Sequence, residues 1–269
     1  IVLFRRSGES VEDDQGPAQG YYYPPNSHHA VHIEEEDEGK YRNIYFNAIS
    51  IRQGFIRKVF ILVAVMLSVV AAITSLPFIF KPIDDYVKQN PFLYIISIVV
   101  YFITHILITC CSDVRRSFPM NYIVTTLLVL SAGWMTMTIT SHFTTGSVVL
   151  ALGITILCCI GIILFSCQTK YDLTKCIGIL CLISLAFIIC SIAAFIASYF
   201  FYMPWLHIVY GVVGALIMMA FLAVDVQMVM GGRRVEIAPD EYIYAAVTLF
   251  LDILNMFLYL LTAVGTRRD

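Results

Sequence analysis

Charged residues are scarce in this chain of 269 residues, at 13% against about 25% in an ordinary soluble domain, while hydrophobic residues reach 59%. This composition excludes a soluble globular protein. The 17 lysines and arginines are balanced by 19 acidic residues, which leaves a net charge of −2 and no basic surface that would bind nucleic acid. The partner that this composition predicts is the lipid bilayer.

Motifs for metal, redox and nucleotide chemistry are missing as well. The eight cysteines form no C-x-x-C pair, and most of them lie inside apolar runs, where cysteine behaves as a small hydrophobic residue. No GxxxxGK[ST] loop is present to bind ATP. We therefore expect no cofactor, no structural disulfide and no enzymatic activity.

The first 50 residues differ in composition from the rest of the chain. They combine several glycines and prolines with an acidic run from Glu34 to Glu38, and such a segment buries too little apolar surface to fold. We expect residues 1–50 to form a disordered cytosolic tail and residues 51–269 to form the folded domain.

Apolar windows of about 20 residues, the length that crosses a hydrocarbon core, recur from Ile56 onward. They are too long for strands and do not alternate, and inside a bilayer the backbone satisfies its hydrogen bonds within helices. The sequence therefore predicts an all-α integral membrane protein, a bundle of seven transmembrane helices preceded by the disordered tail. The predicted segments run approximately over 56–80, 91–111, 120–140, 148–166, 177–200, 205–230 and 242–264.

The basic residues of the short loops predict the orientation of the bundle. With the N-terminus in the cytosol, nine lysines and arginines fall on the cytosolic side and four on the opposite side, which favours this orientation. The nine are Arg52, Arg57, Lys58, Arg115, Arg116, Lys170, Lys175, Arg233 and Arg234, and the four are Lys81, Lys88, Arg267 and Arg268. Because the last two arginines would favour the cytosol, a re-entrant seventh segment is the alternative.

Two aspartates lie inside the predicted segments, where an ionisable residue costs roughly 2.5–3.5 kcal/mol on insertion scales. Asp225 is in the sixth segment and Asp252 in the seventh, and a short loop joins these antiparallel helices. Both carboxyl groups can therefore face one interior at a similar depth. Two carboxylates in a low-dielectric site do not both ionise readily, so we expect the pair to titrate as a unit.

The same pair is a candidate contact for a metal ion in transit. Calcium takes about six to eight oxygen ligands and two carboxylates offer at most about four, so Asp225 and Asp252 can touch a passing calcium ion without caging it. Such a transient site suits a leak. A polar line on the seventh segment, formed by Thr248, Asn255 and Tyr259, lies on the side of Asp252 and either wets a cavity or bonds a neighbouring helix.

Two further patterns concern helix packing. Gly211 and Gly214 share a helix face with Asp225, and this small-residue stripe predicts the close approach of a neighbouring helix. Arg115 and Arg116 end the second segment on the cytosolic side. They either anchor that helix at the membrane surface, or one of them folds back to a carboxylate.

Four stretches carry more specific motifs. They are GFIRKV at 54–59, CCSDVRRSFP at 110–119, FSCQTKYD at 165–172, and the run from GGRR at 231–234 through PDEYI at 239–243 to LDILN at 251–255. With these motifs the chain resembles the transmembrane Bax-inhibitor motif family, in particular its Lifeguard branch, over about residues 45–269.

The resemblance implies a pH-responsive aspartate dyad that controls a calcium leak, with an arginine that ends the second helix as its partner. Those roles fall on Asp225 and Asp252 and on either Arg115 or Arg116. The resemblance also implies endoplasmic reticulum, Golgi or endosomal membranes, a role in calcium homeostasis and the restraint of apoptosis. Partners of the tail would then be apoptosis-regulating or receptor proteins.

Two rival functions are compatible with membrane aspartates. An intramembrane aspartyl protease uses such a pair as general acid and base, but the bulky Phe250 and Leu251 precede Asp252 where such proteases resemble a GxGD pattern. A membrane scaffold would instead modulate death signalling through protein contacts.

The direction of pH gating has two interpretations. If an arginine binds the dyad and closes the channel, acidification removes the anion that it binds and raises the leak, and this is the arrangement that we favour from the sequence. If the aspartates instead hold each other through one shared proton, deprotonation pushes them apart and the leak rises at alkaline pH.

Overall fold

The computed structural model describes residues 28–200 and 204–268. The chain divides into two compact units, residues 1–53 and residues 54–269, and the helical bundle is formed by the second. Of the predicted tail, residues 1–27 lie outside the described residues and the first helix begins at His28; the disorder of the tail stays a prediction.

The described residues form α-helices joined by short turns. The helices are α1 (His28–Ile79), α2 (Lys81–Gln89), α3 (Pro91–Cys110), α4 (Ser112–Arg116), α5 (Met120–Ser141), α6 (Thr145–Gln168), α7 (Ile177–Phe200), α8 (Pro204–Met230) and α9 (Tyr242–Val264), with short 3-10 turns at Leu173–Cys176 and Pro239–Glu241. Extended pairing in the described part of the chain is limited to an isolated bridge between Phe143 and Arg267.

Seven of these helices are long and apolar enough to cross a membrane, and they confirm the seven predicted segments to within a few residues. They are α1 from Ser50 onward, α3, α5, α6, α7, α8 and α9. The two short helices, α2 and α4, were not predictable from the sequence, because neither is long enough to show as an apolar window.

Local chemistry explains where several helices begin and end. Proline is the first residue of α3 and of α8, where its missing N–H leaves no helical hydrogen bond unmade. Thr144 caps α6 by accepting a hydrogen bond from the Ser147 backbone N–H at 3.4 Å. Gly231 and Gly232 end α8 with φ of +77° and +71°, a backbone conformation that favours glycine.

The core is built around α9, which contacts α4, α5, α6 and α8. Along α1, buried side chains recur every three or four residues from Phe55 to Val70 and join the same apolar core. α7 lies at the periphery and packs against α8 and the 3-10 turn that precedes it.

α8 and α9 approach each other closely, as the stripe of small residues predicts. A Cβ atom on Gly211 would lie 2.7 Å from the Ala263 nitrogen, and one on Gly214 would lie 2.5 Å from Tyr259 Cδ1. Only glycine leaves room for the backbone of α9 at Gly211 and for its tyrosine ring at Gly214.

The two ends of α9 lie at opposite ends of the bundle. At its beginning, Glu241 is paired with Arg115 of α4 at 2.8 Å. Beyond its end, the Arg268 backbone N–H donates to the His142 carbonyl at 2.8 Å, and the Arg268 side chain is paired with Asp84 of α2 at 3.4 Å. Since the 22 residues of α5 separate α4 from His142, α9 runs the full length of the bundle. It is long and apolar enough to cross a membrane, and its full crossing stays a prediction.

Candidate functional site

The structure brings the two membrane aspartates together. Asp225 of α8 and Asp252 of α9 make a polar side-chain contact. Asp225 is 8% exposed, and the Oδ2 atom of Asp252 is buried with no hydrogen-bond partner among the described residues. Because carboxylate oxygens only accept hydrogen bonds, this contact is attractive when a proton lies between the two groups and repulsive when none does.

The surroundings of the pair are mainly apolar. Asp225 also makes a polar contact with Thr248, whose hydroxyl donates to the Ala245 carbonyl of its own helix at 3.1 Å. Val226, which follows Asp225, is fully buried, and so is Leu249, three residues before Asp252. The dyad therefore sits in a low-dielectric region with few groups to stabilise two charges.

The rest of the polar line on α9 reaches different neighbours. Asn255 makes a polar contact with Tyr101 of α3, and Tyr259 makes one with Tyr210 of α8. The Tyr210 ring is stacked on Phe187 of α7 with centroids 4.9 Å apart. For Asn255 and Tyr259 these contacts favour bonding between helices over the wetting of a cavity.

Both arginines at the end of the second membrane segment bind the same carboxylate. Glu241 Oε1 accepts from Arg115 Nη2 at 2.8 Å and from Arg116 Nη2 at 2.6 Å. Arg116 Nε also lies 3.5 Å from Asp240 Oδ2. The hydrogen bond and the charge of Glu241, with a smaller effect of Asp240, raise the pKa of the Arg116 guanidinium above its ordinary value.

The expected contact between an arginine and the dyad is thus replaced by a contact with Glu241. Glu241 precedes Asp252 by 11 residues, which is about 16 Å along a helix axis. Tyr244 fills part of that interval, and the Arg115 guanidinium lies over its ring at 4.9 Å from the centroid. The arginines fasten α4 to the beginning of α9, and the Glu241 that they bind lies about three helical turns from Asp252.

A second polar cluster, which the sequence analysis did not assign, joins the turn before α7 to the end of α8. Asp172 accepts from the Thr174 hydroxyl at 2.5 Å and from the Arg234 backbone N–H at 3.2 Å. The hydrogen bond from the Thr174 hydroxyl is the main cause that lowers the pKa of Asp172. Desolvation opposes it, and the backbone hydrogen bonds and the charge of Lys175 add smaller lowering effects.

Gln227 completes this cluster from inside α8. Its side chain accepts from the Leu173 backbone N–H at 2.8 Å and donates to the Tyr171 carbonyl at 2.9 Å. Arg233 donates to the Thr169 carbonyl at 2.6 Å. The FSCQTKYD and GGRR motifs contact each other here. Both motifs stood out in the sequence because they are specific, but nothing in either motif indicated that the two would be in contact.

Comparison with known proteins agrees with this architecture. Residues 52–269 match the family described as inhibitor of apoptosis-promoting Bax1. Human Protein lifeguard 3 is 36% identical over 217 residues, which cover 81% of this chain and 70% of that protein. Mouse Protein lifeguard 3 is 34% identical over 236 residues, covering 87% and 76%, and mouse Protein lifeguard 4 is 28% identical over 235 residues, covering 84% and 91%.

The family match extends over all the helices that bear the site, from α1 to α9, and the identity to the relatives is spread over most of both chains. Together with the seven apolar helices, these findings make the protein a multi-pass membrane protein. The chain belongs to the family of the inhibitor of apoptosis-promoting Bax1, in its Lifeguard branch.

Proposed function

We propose that this protein is a passive calcium leak channel of intracellular membranes, gated by pH at Asp225 and Asp252, which restrains apoptosis through calcium homeostasis. The observation that carries the proposal is the contact of the two carboxyl groups between α8 and α9. Placing two acids in the apolar layer of a membrane is energetically unfavourable. A role in binding a permeant cation explains why the protein has them there.

The shared-proton interpretation of gating is supported by where the arginines lie. Arg115 and Arg116 bind Glu241 and not the dyad. We therefore propose that a shared proton supplies the attraction between Asp225 and Asp252. Its loss leaves two carboxylates that repel each other and that both attract a cation. We therefore propose that the leak rises with alkaline pH and falls with acid.

Calcium would be bound only in passage. Within the described residues, no group of three or more His, Cys, Asp or Glu side chains is placed to hold a metal ion. The dyad supplies at most about four oxygens of the six to eight that calcium takes, so water must supply the rest. A site of this kind releases its ion readily, as a leak requires.

The ion pairs of Glu241 have a supporting role in this proposal. Arg115 and Glu241 are both largely buried, with side chains 18% and 13% exposed, so their bond is poorly screened by water. By holding α4 against the beginning of α9, the pair would keep the dyad helix in its closed position. In this proposal the arginines still hold the helices together, but through Glu241 and not through the dyad.

The same surroundings favour a channel over a peptidase, and we propose that the protein has no peptidase activity. Phe250 and Leu251, which precede Asp252, are bulky and buried in the core, in contrast to the GxGD pattern that such proteases resemble. Cleavage of a transmembrane substrate by the purified protein, lost in Asp225→Ala, would contradict this.

Calcium efflux from liposomes that contain the purified full chain tests the channel. Between pH 6 and 8 the wild type should leak more at higher pH, by at most about tenfold per pH unit if one proton controls the gate. Asp252→Asn cannot develop the repulsion, so its leak should be low and flat. Asp240→Asn, at an exposed acid outside the dyad, is the control. An Asp252→Asn profile equal to that of the wild type would remove the dyad from the gate.

A further inference from the structure

A narrow apolar groove lies between α1 and α5, with α9 as its floor. Its volume is about 320 Å³, at the lower end of the range of roughly 300–1,000 Å³ that is usual for ligand sites. The walls are formed by Leu62 to Val69 of α1 and Tyr122 to Leu130 of α5, and the floor by Ile243 and Ala246 of α9. Val65 and Leu130 are exposed whereas Ile243 and Ala246 are buried, so in a membrane the groove opens toward lipid.

At one end of the groove, each of the three helices carries a polar residue. Lys58 precedes Leu62 by four residues and so continues the groove face of α1. Tyr122 is the third residue of α5, and Tyr242 is the first residue of α9. The Lys58 ammonium lies over the Tyr242 ring, 4.0 Å from its centroid, and the hydroxyl oxygens of Tyr122 and Tyr242 are 3.2 Å apart. The polar end therefore lies where two membrane helices begin, at the level of the membrane surface.

These polar groups are accessible, and they offer hydrogen-bond donors to a ligand. Lys58 is exposed, Tyr122 is 40% exposed and Tyr242 is partly exposed. In the described part of the chain, Lys58 has no ion pair, and its ammonium contacts the Tyr242 ring. One tyrosine hydroxyl donates to the other, which leaves the second O–H without an acceptor among the described residues. An ammonium and a hydroxyl donor side by side suit an anionic oxygen ligand such as a phosphate.

The charges around the polar end favour an anion as well. Glu241, which precedes Tyr242, is bound by Arg115 and Arg116, and Asp240 lies 3.5 Å from Arg116. These two acids and two arginines balance one another. Lys58 adds a positive charge that is not paired with any acid in the described residues, and a ligand with a net negative charge would complement it.

The dimensions of the groove fit one acyl chain. From Lys58 to Val69 the wall of α1 rises by about 16 Å, which is about half of a hydrocarbon core of about 30 Å, the depth of one leaflet. Spread over about 10 Å, from Leu62 to Val69, or over the full 16 Å, the volume gives a mean cross-section of about 20–30 Å². An α-helix about 10 Å in diameter has a cross-section of about 80 Å². The groove is therefore too narrow for a helix of another protein.

We propose that this groove binds one acyl chain of an anionic glycerophospholipid, whose phosphate binds the Lys58 ammonium and the hydroxyls of Tyr122 and Tyr242. The acyl chain covers the apolar walls, and the phosphate oxygens accept from the donors at the polar end. A zwitterionic lipid offers the same phosphate but no net charge to complement Lys58. The site does not include Asp225 or Asp252, and it is independent of the calcium leak.

Photolabelling of the full chain in phosphatidylcholine vesicles tests the site. The vesicles contain a trace of phosphatidylserine or of phosphatidylcholine with a diazirine in the same acyl chain, and mass spectrometry locates the adducts. Adducts on α7, whose membrane window is only 6% buried, report ordinary lipid contact and serve as the reference. In the wild type, the phosphatidylserine probe should label the groove residues of α1 and α5 more than α7. Its ratio of groove adducts to α7 adducts should be about fivefold that of the phosphatidylcholine probe, the effect of one lysine on an anionic lipid.

Substitutions separate the charge, the hydroxyls and the groove. Lys58→Gln should abolish the preference for phosphatidylserine. Arg57→Gln is the matched control and should keep the preference, because Arg57 is an exposed cation that lies about 100° around the helix from Lys58. Tyr122→Phe with Tyr242→Phe keeps both rings and should lower the groove adducts of both probes about tenfold, the effect of losing a hydrogen bond to a charged group. Val65→Trp, at a position that is 54% exposed, fills the groove from the lipid side and should remove its adducts.

Each contrary result overturns a stated part of the proposal. Wild-type adducts no more abundant on the groove than on α7 with either probe would exclude a lipid site. Equal ratios for the two probes would exclude selection by charge, and equal losses in Lys58→Gln and Arg57→Gln would assign the preference to the general charge of the protein surface. A double phenylalanine variant that labels like the wild type would exclude the hydroxyl contact. A ratio that rises when the protein is diluted would indicate side chains of a second copy as the occupant.

Discussion

α7 and α9 have nearly the same length, 24 and 23 residues, and both are apolar enough to cross a membrane, yet they occupy opposite positions in the bundle. In their most apolar windows, 6% of α7 is buried inside the protein and 50% of α9 is. Hydropathy therefore indicates that a helix crosses the membrane but not where it lies in the bundle.

Polar residues distinguish the two helices better. The described hydroxyls of α7, on Ser184 and Ser191, donate to carbonyls of α7 itself. Along α9, Asp252, Asn255 and Tyr259 contact other helices. A polar side chain that faces lipid has to be satisfied within its own helix, whereas one that faces the core can bond a neighbour.

Truncation of a large side chain should show the greatest difference between the helices. Phe250→Ala on α9 removes a fully buried ring and should cost about 3–5 kcal/mol. Ile189→Ala on α7, at a side chain that is 60% exposed, should cost less than about 0.5 kcal/mol, because lipid fills the space. Chemical unfolding in detergent measures both, and equal losses would show that α7 is packed as tightly as α9.

Glycine substitutions form a second matched pair. A Cβ on Gly211 meets the backbone of α9, so Gly211→Ala should destabilise by about 1–3 kcal/mol. Nothing lies within 4 Å of a Cβ on Gly178 of α7, so Gly178→Ala should be neutral or stabilise by up to about 1 kcal/mol. Thermal unfolding measures both variants. Equal shifts of the two unfolding midpoints would contradict the close packing of α8 on α9.

The ion pairs at the beginning of α9 should couple more weakly than core packing. A double-mutant cycle of Arg115→Ala and Glu241→Ala should give a coupling energy of about 1–2 kcal/mol, since both side chains are largely buried. The cycle for Arg116 and Asp240, whose side chains are 52% and 58% exposed, should give no measurable coupling, because water and salt screen an exposed pair. Similar couplings in the two cycles would mean that water screens both pairs.

The beginning of α7 should show the smallest effect, as a change in titration. The Asp172 carboxyl has a lowered pKa, so its contribution to stability is complete above the ordinary value of about 3.9 and is lost as the pH falls through the lowered value. Thr174→Val removes the main cause and should raise the pKa of Asp172 in an NMR titration of the carboxyl carbon. An unchanged titration midpoint would show that the backbone N–H donors, and not the Thr174 hydroxyl, lower the pKa of Asp172.

The seven membrane segments were predictable from the sequence because each needs only length and apolar composition to satisfy its backbone in lipid. The contact of Gly211 and Gly214 with α9 was predictable in kind, since a stripe of small residues on one face indicates close approach. α2 and α4 were not, because a helix of nine or five residues has no membrane signature.

The partner of the arginines shows how far sequence reasoning extends. Two arginines at a helix end predict a carboxylate partner, but Glu241, Asp225 and Asp252 are all acids near the sixth and seventh segments. The choice depends on distances along α9, which place Glu241 beside α4 and the dyad about 16 Å deeper. No pattern of residue types contains that information.

The amino-acid sequence by itself determined that the chain crosses the membrane seven times and that Asp225 and Asp252 lie within the apolar layer, because the free energy of transfer into lipid is a property of each segment alone. Only the tertiary structure decided that Arg115 and Arg116 bind Glu241, that Arg268 at the end of the chain meets Asp84, and that Tyr122 contacts Tyr242. These pairings join residues far apart in the chain, and they depend on how the helices pack against one another rather than on the composition of any one of them.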